Sequence, residues 1–288
     1  MTGSDPKRGM VLVTVLWAIT LCSALVMGAA VSFRSFAGIM AIDRDRVQGD
    51  ALLTAGLEVA AALAADWPDK PLLDRATTLD LSTGSVRAQI SDEGGRIDIG
   101  KAPAEFLAGL FLSVGAPQQQ ADGIARAIVN WRSRDKPQST KTDPPNASAT
   151  SAAFFTDVAQ IAQIPGMRRE WVTAIRPLTT VFGAETVNPL TAPADVIASV
   201  PGVDQARLRA FLAARRSSPS DVEGLATILG AGQRYVMARP QQVVSVQLAA
   251  TLVDRYAVAA RAIVVLLPQD QQPYRILLWT PLSLSAIH

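Results

Sequence analysis

Met10–Phe33 reads MVLVTVLWAITLCSALVMGAAVSF, 24 residues without a charge. Lys7, Arg8 and Gly9 precede it and Arg34 follows. As a helix it is about 36 Å long, enough to cross a bilayer core of about 30 Å with some tilt. Its polar side chains, Thr14, Thr20, Ser23 and Ser32, can bond back to helix carbonyls and do not forbid lipid. The cations at Lys7 and Arg8 put this end on the cytoplasmic side and the remainder outside.

Three readings of the start stay open. A cleaved signal peptide would have Gly28-Ala29-Ala30 as its small-residue site, but its apolar region is shorter than this one, about 7–15 residues. A plain signal anchor fits the length. The third reading rests on a basic head that ends in Gly9 and runs directly into a long apolar helix.

Outward from this stretch, Arg34–Asp66 stays helical and amphipathic. Val47, Ala51, Ala55, Val59 and Ala62 recur every three to four residues, and Asp43, Arg44, Asp45, Arg46, Asp50 and Glu58 supply charge. Gly38, Gly49 and Gly56 weaken that helix by about 1 kcal/mol each relative to Ala. Trp67-Pro68-Asp69 ends it.

Ser85–Ser91 then alternates, with Val86, Ala88 and Ile90 on one side, and reads as a half-buried strand. Asp92-Glu93-Gly94-Gly95 is a turn and Arg96–Gly100 a short extended piece. Seven short helices follow, over Ala102–Ser113, Gln118–Ser133, Phe154–Ile161, Arg168–Ile175, Ala192–Ser199, Asp204–Arg216 and Val222–Leu229. Strands resume at Gln242–Leu248, Tyr256–Leu267 and Tyr274–Trp279. Neither end holds enough strands for a stable sheet alone. The economical solution is one antiparallel sheet built from both ends and packed on the long helix. This α+β arrangement divides the chain into a leader (1–9), the apolar part of the helix (10–33), an α/β domain (34–99 and 240–288) and an inserted helical domain (100–239).

Composition excludes much chemistry. The net charge of +2 supplies no field for nucleic acid. The single cysteine, Cys22, rules out an internal disulfide, and the single histidine is the last residue, His288. A zinc cluster, a Cys–His pair and a triad therefore lack their parts. No catalytic residue and no cofactor site is expected.

Ala102-Pro103-Ala104-Glu105 has an echo in Ala192-Pro193-Ala194-Asp195. Each follows an apolar-Asx pair, Ile97-Asp98 or Val187-Asn188. Each leads through a glycine, Gly115 or Gly202, to a second helix ending in Arg132 or Arg215. Either these are two related helix–turn–helix units, or Pro and an acid in the first turn are simply good helix starts used twice. Ile164-Pro165-Gly166-Met167 and Val200-Pro201-Gly202-Val203 have the form of helix–hairpin–helix turns. Only the first has cations beside it, Arg168 and Arg169. The alternative function is therefore a membrane-anchored helix–hairpin–helix DNA-binding protein of a DNA-uptake system.

The basic head ending in Gly9 resembles the leader of type IV prepilins and of the pseudopilins of type II secretion. With the long helix, the large helical insertion, the D-E-x-G-R-I-D-I run of Asp92–Ile99, the V-N-P-x-T-A-P run of Val187–Pro193 and the I-P-G-M of Ile164–Met167, the chain resembles the general secretion pathway protein K family, the largest minor pseudopilins. That resemblance implies a pilin-like fold and a structural role at the tip of the secretion pseudopilus, with no enzymatic activity. It implies cleavage after Gly9 by prepilin peptidase, N-methylation of Met10, and a single-pass place in the inner membrane with the C-terminal domain periplasmic. Its implied partners are other minor pseudopilins in a tip complex, the major pseudopilin and the inner membrane, and no nucleic acid. Most such subunits have Glu at the fifth mature position, where this chain has Thr14. The resembled tip subunit typically lacks it too, having no subunit above to pair with. The family also implies calcium near the Asp135–Ala153 loop. Calcium needs six to eight oxygens, and this loop has only Asp135 and Asp143 as carboxylates, between lysines, so no metal site is expected.

Overall fold

The computed structural model describes residues 6–66, 75–134, 155–219, 221–240, 242–267 and 270–283, with the side chains of 6–9, 11–12 and 30–38 excepted. Helix α1 (Pro6–Ala65) is continuous over 60 residues. Trp67-Pro68-Asp69, the expected helix stop, lies outside the described residues.

The sheet has the strand order β1-β2-β5-β6-β7, formed by β1 (Arg75–Leu81), β2 (Gly84–Asp92), β5 (Val243–Leu252), β6 (Ala257–Leu266) and β7 (Tyr274–Leu282). All four pairings are antiparallel. The joint between the two ends of the chain is the β2–β5 pair, in register from Gly84↔Leu252 to Asp92↔Val244. Between these strands lie α2 (Ala104–Ser113), α3 (Gln118–Arg134), α4 (Arg169–Ile175), α5 (Ala194–Ala198), α6 (Gln205–Ser217) and α7 (Val222–Ile228). Two-residue strands β3 (Ile97–Asp98) and β4 (Thr179–Thr180) pair in parallel among them. The expected helix at Phe154–Ile161 is a 3-10 helix over Val158–Gln163.

Two hydrophobic cores result. The first joins α1 to one face of the sheet. Val86, Ala88 and Ile90 meet Val244, Val246, Leu248, Ala260, Ala262 and Val264, and all pack on Leu52, Leu53, Leu57, Ala60 and Ala64. The second lies wholly among the helices, around Phe106, Phe111, Ile128, Trp171 and Phe211. Ile97 and Ile99 belong to this second core. The chain therefore changes cores at Asp92–Gly95, ahead of the boundary expected at residue 99.

The apolar stripe expected on α1 is on the wrong face. Val47 is 68% exposed, Ala51 and Ala62 are exposed, and Ala55 and Val59 are half-buried. The buried stripe is Gly49, Leu52, Leu53, Gly56, Leu57, Ala60 and Ala64. An Ala-rich helix is apolar on several faces, and the bulkier leucines decide which one turns inward. The glycines weaken the helix but let the sheet approach. A Cβ at Gly56 would meet Val86 Cγ2 at 2.7 Å, and one at Gly49 would meet Val258 Cγ1 at 2.8 Å. Gly56→Leu is expected to cost about 1–3 kcal/mol by overpacking, measured by chemical unfolding of the full chain in detergent.

Strand β1 was not expected. Its sequence, RATTLDL, is polar and its residues are mostly exposed. It is the outer strand of a hairpin closed at Ser82-Thr83, followed by Gly84 at φ 153°, where an added Cβ would run into the Thr251 carbonyl.

Candidate functional site

Two regions carry the residues that the sequence singled out. The first is the free half of α1. Met10, Val13, Leu16, Trp17, Ile19, Leu21, Leu25, Val26 and Met27 are exposed apolar side chains, and nothing among the described residues covers them. Thr14 donates through its hydroxyl to the carbonyl of Met10, 3.1 Å away, so its polar group is satisfied within the helix. Gly9 and Met10 are both within α1. Among the described residues, Ile39–Ala65 passes as a membrane span by length and composition, and Val13–Ala29 is a shorter apolar stretch. The Ile39–Ala65 segment holds six charged residues and packs on the sheet, so it is the half of the helix held by the chain's own body.

The second region is the junction where the chain leaves the sheet for the helices and returns. Asp92 closes β2 and caps the turn, accepting from the Gly94 N–H at 2.9 Å. Its other oxygen accepts from Thr191 Oγ1 at 2.6 Å and Asn188 Nδ2 at 3.3 Å. Asn188 Nδ2 also reaches the carbonyl of Arg239, ahead of β5, at 3.3 Å. The runs Asp92–Ile99 and Val187–Pro193, read separately in the sequence, are therefore the two sides of one contact. Gly95 is required there, because a Cβ would lie 2.7 Å from the backbone of Thr191.

Next to it, Glu93 is 1% exposed. Its Oε1 accepts from Arg261 Nη2 at 2.9 Å and is 3.1 Å from Arg96 Nη1. Arg261, on β6, also donates through Nε to Ser245 Oγ at 2.8 Å. This is the tie between the outer face of the sheet and the helical lobe, and sequence reading missed it. The outer face carries Gln89, Ser91 and Gln247 near β2 and β5 and apolar Ile263, Leu278 and Leu282 toward β7, with clefts beside the tie. One, of about 310 Å³, runs past Arg176, Thr179, Arg261 and Thr280. The other, of about 410 Å³, is lined by Gln89, Asp92, Arg96, Pro193, Arg215 and Gln247. Arg261→Met is expected to destabilise by about 1–3 kcal/mol, since it strips a donor from a buried carboxylate. In Glu93→Gln the same change should cost measurably less, which a double-mutant cycle checks.

Burial holds the Asp98 carboxyl above its ordinary range, opposed by Lys101, and burial does the same to Asp92 against its hydrogen bonds from Thr191 and Gly94. A carboxyl raised in the folded state favours folding below its unfolded pKa, about 3.9. That contribution is lost as pH rises through the folded value. The stability of Asp98→Asn relative to the parent should therefore improve as pH rises from about 4 toward neutrality, read by denaturant titrations across that range.

The echo between the two Ala-Pro segments extends to three dimensions. Asp98 Oδ1 accepts from Gly100 N–H at 2.7 Å, and Asn188 Oδ1 from Leu190 N–H at 3.1 Å. The carbonyls of the same two residues accept from Ala102 and Ala192 N–H at 2.8 and 2.9 Å. Pro103 and Pro193 cap α2 and α5 with φ −60° and −56°. Gly115 and Gly202 turn the chain with φ 86° and 83°, which favours glycine. Finally Arg132 donates to the Ala102 carbonyl at 2.9 Å, and Arg215 to the Ala192 carbonyl at 2.6 Å. These are two copies of one helix–turn–helix unit.

At the Pro165-Gly166 turn, Arg169 is exposed. Arg168 is paired with Glu170 at 2.9 Å and stacked on Trp171. Among the described residues no group of three or more His, Cys, Asp or Glu could hold a metal. Asp135, Asp143 and the whole Asp135–Ala153 loop lie outside the described residues.

A family model described as type II secretion system (T2SS), protein K, matches residues 88–184. These span the end of β2, the Asp92–Ile99 run, α2–α4 and β4. No curated protein matches the chain. Among solved structures, the fold is similar to a chain in the crystal structure of the GspK-GspI-GspJ complex from the enterotoxigenic Escherichia coli type 2 secretion system. The TM-score is 0.61 at 12% identity, covering 85% of this chain and 99% of that one.

Proposed function

We infer, from the premise that residues 88–184 are a domain of the type II secretion system protein K family, that the chain is a minor pseudopilin at the tip of the secretion pseudopilus. The observation that carries this is α1: one continuous helix, half packed on its own sheet and half exposed and apolar, with no cover among the described residues. Such a half-helix is stable in lipid or against apolar helices of other subunits, and a filament core supplies the second after the first.

In this reading Met10–Phe33 anchors the unassembled subunit in the inner membrane as a single pass, N-terminus cytoplasmic. Prepilin peptidase removes residues 1–9 after Gly9 and Met10 becomes N-methylated. The helix then moves from lipid into the filament. Thr14 fits the end position. A carboxylate there would need an amine partner in apolar surroundings, whereas the Thr14 hydroxyl is already paired with the helix backbone. The helical lobe adds bulk that obstructs a further subunit above. The partners are other minor pseudopilins in a tip complex and, below them, the major pseudopilin. The GspK-GspI-GspJ complex of the structural relative supports a tip complex of this kind. The work done is packing, without catalysis or a cofactor.

Deleting the chain from a secreting cell should leave secreted proteins in the periplasm. The parent gene should restore export, and Gly9→Val should fail to do so while still giving a membrane-bound product. Full restoration by Gly9→Val would reject trimming as a requirement.

A further inference from the structure

The duplicated unit contains its own control. In the first copy, burial disfavours the Arg132 charge and the nearby charges of Asp98 and Glu185 oppose that, although Asp98 is itself paired with Lys101 at 3.4 Å. In the second copy the residue matching Asp98 is Asn188, which is neutral. Arg215 makes the matching backbone bond to Ala192, a second to the Pro189 carbonyl at 3.1 Å, and lies over the Phe211 ring. Among the described residues it has no carboxylate partner. Burial alone disfavours its charge. The cleft of about 410 Å³ opens beside it, walled by Gln89, Ser91 and Gln247 of the sheet and by Pro193 and Arg96 of the lobe. Asp92 also lines this cleft, but its oxygens are taken up by Gly94, Thr191 and Asn188.

We propose that the cleft beside Arg215 is a receptor for a carboxylate brought by another protein, an acidic side chain of a partner segment. The guanidinium offers donors beyond those used on the two carbonyls, in the fork geometry that suits a carboxylate. Gln89 and Gln247, opposite each other on β2 and β5, supply neutral amides that can bond the rest of an extended acidic segment. The site goes beyond assembly through α1, because it lies on the periplasmic part and needs no apolar partner.

The test uses the full chain in detergent and glutarate as the probe, a dicarboxylate with the end group of a glutamate side chain. Thermal unfolding is followed against glutarate, against inorganic phosphate and against chloride at matched ionic strength. The midpoint should rise with glutarate and saturate. The half-saturating concentration should be about tenfold higher in Arg215→Gln, the loss of one strong charged contact. Gln89→Glu, an exposed change that puts a resident carboxylate on the cleft wall, should weaken it similarly. It decides the matter if Arg215→Gln does not fold. A response no larger than that to chloride, or one unchanged in Gln89→Glu, overturns the site. A response to phosphate without one to glutarate overturns the carboxylate assignment.

Discussion

Phe106→Ala is expected to destabilise the helical lobe by about 3–5 kcal/mol, the range for deleting a buried aromatic ring. Phe106 is 0% exposed, at the centre of the helical core. Its ring lies 5.3 Å from that of Tyr235, so the change empties a site bounded by both ends of the insertion. Whole domains are stable by about 5–15 kcal/mol, so this one change should bring the lobe close to unfolding at 37 °C. The loss should be local. The core between α1 and the sheet contains none of the same residues. Limited proteolysis of the variant should cut within 100–239 and spare a fragment pair holding α1 and the strands. Uniform cutting throughout would mean that the two cores unfold as one.

Leu57→Ala is the complementary change, expected to cost about 2–5 kcal/mol. Leu57 is 1% exposed and faces the sheet among Val86, Leu248 and Val264. It does more than stabilise the domain. It fixes the direction in which the exposed apolar half of α1 leaves the body. A helix loosened at Leu57 should still insert in the membrane, because Met10–Phe33 is unchanged, but should assemble poorly. The expected result is a membrane-bound variant with normal abundance and strongly reduced export. Export at the parental level with a stability loss of that size would separate helix docking from assembly.

Much of this was legible from local patterns, and the failures have physical causes. The order of helices and late strands followed from periodicity, Pro-capped starts and glycine turns, as at Pro103, Pro193, Gly115 and Gly202. The inside of α1 was misread because Val47, Ala51, Ala55, Val59 and Ala62 form as regular a stripe as Leu52, Leu53, Leu57, Ala60 and Ala64. Only side-chain size separates them. Strand β1 escaped notice because an outer hairpin strand needs no apolar face. The junction was half visible. The run Asp92–Ile99 and the run Val187–Pro193 stood out, but a hydrogen bond between Asp92 and Thr191, 99 residues apart, leaves no local mark. Glu93 and Arg261 look like surface charges in the sequence, and only the fold brings the sheet and the lobe together around them.

We infer that Met10–Phe33 is a transferable helix, released from its leader and carried into a filament. Intact-mass measurement of the protein from cells with active type II secretion tests it most directly. The expected result is a chain beginning at Met10, heavier by one N-terminal methyl group. Retention of Met1 would contradict it in favour of a fixed anchor, and a chain beginning near Val31 would mean an ordinary secreted protein.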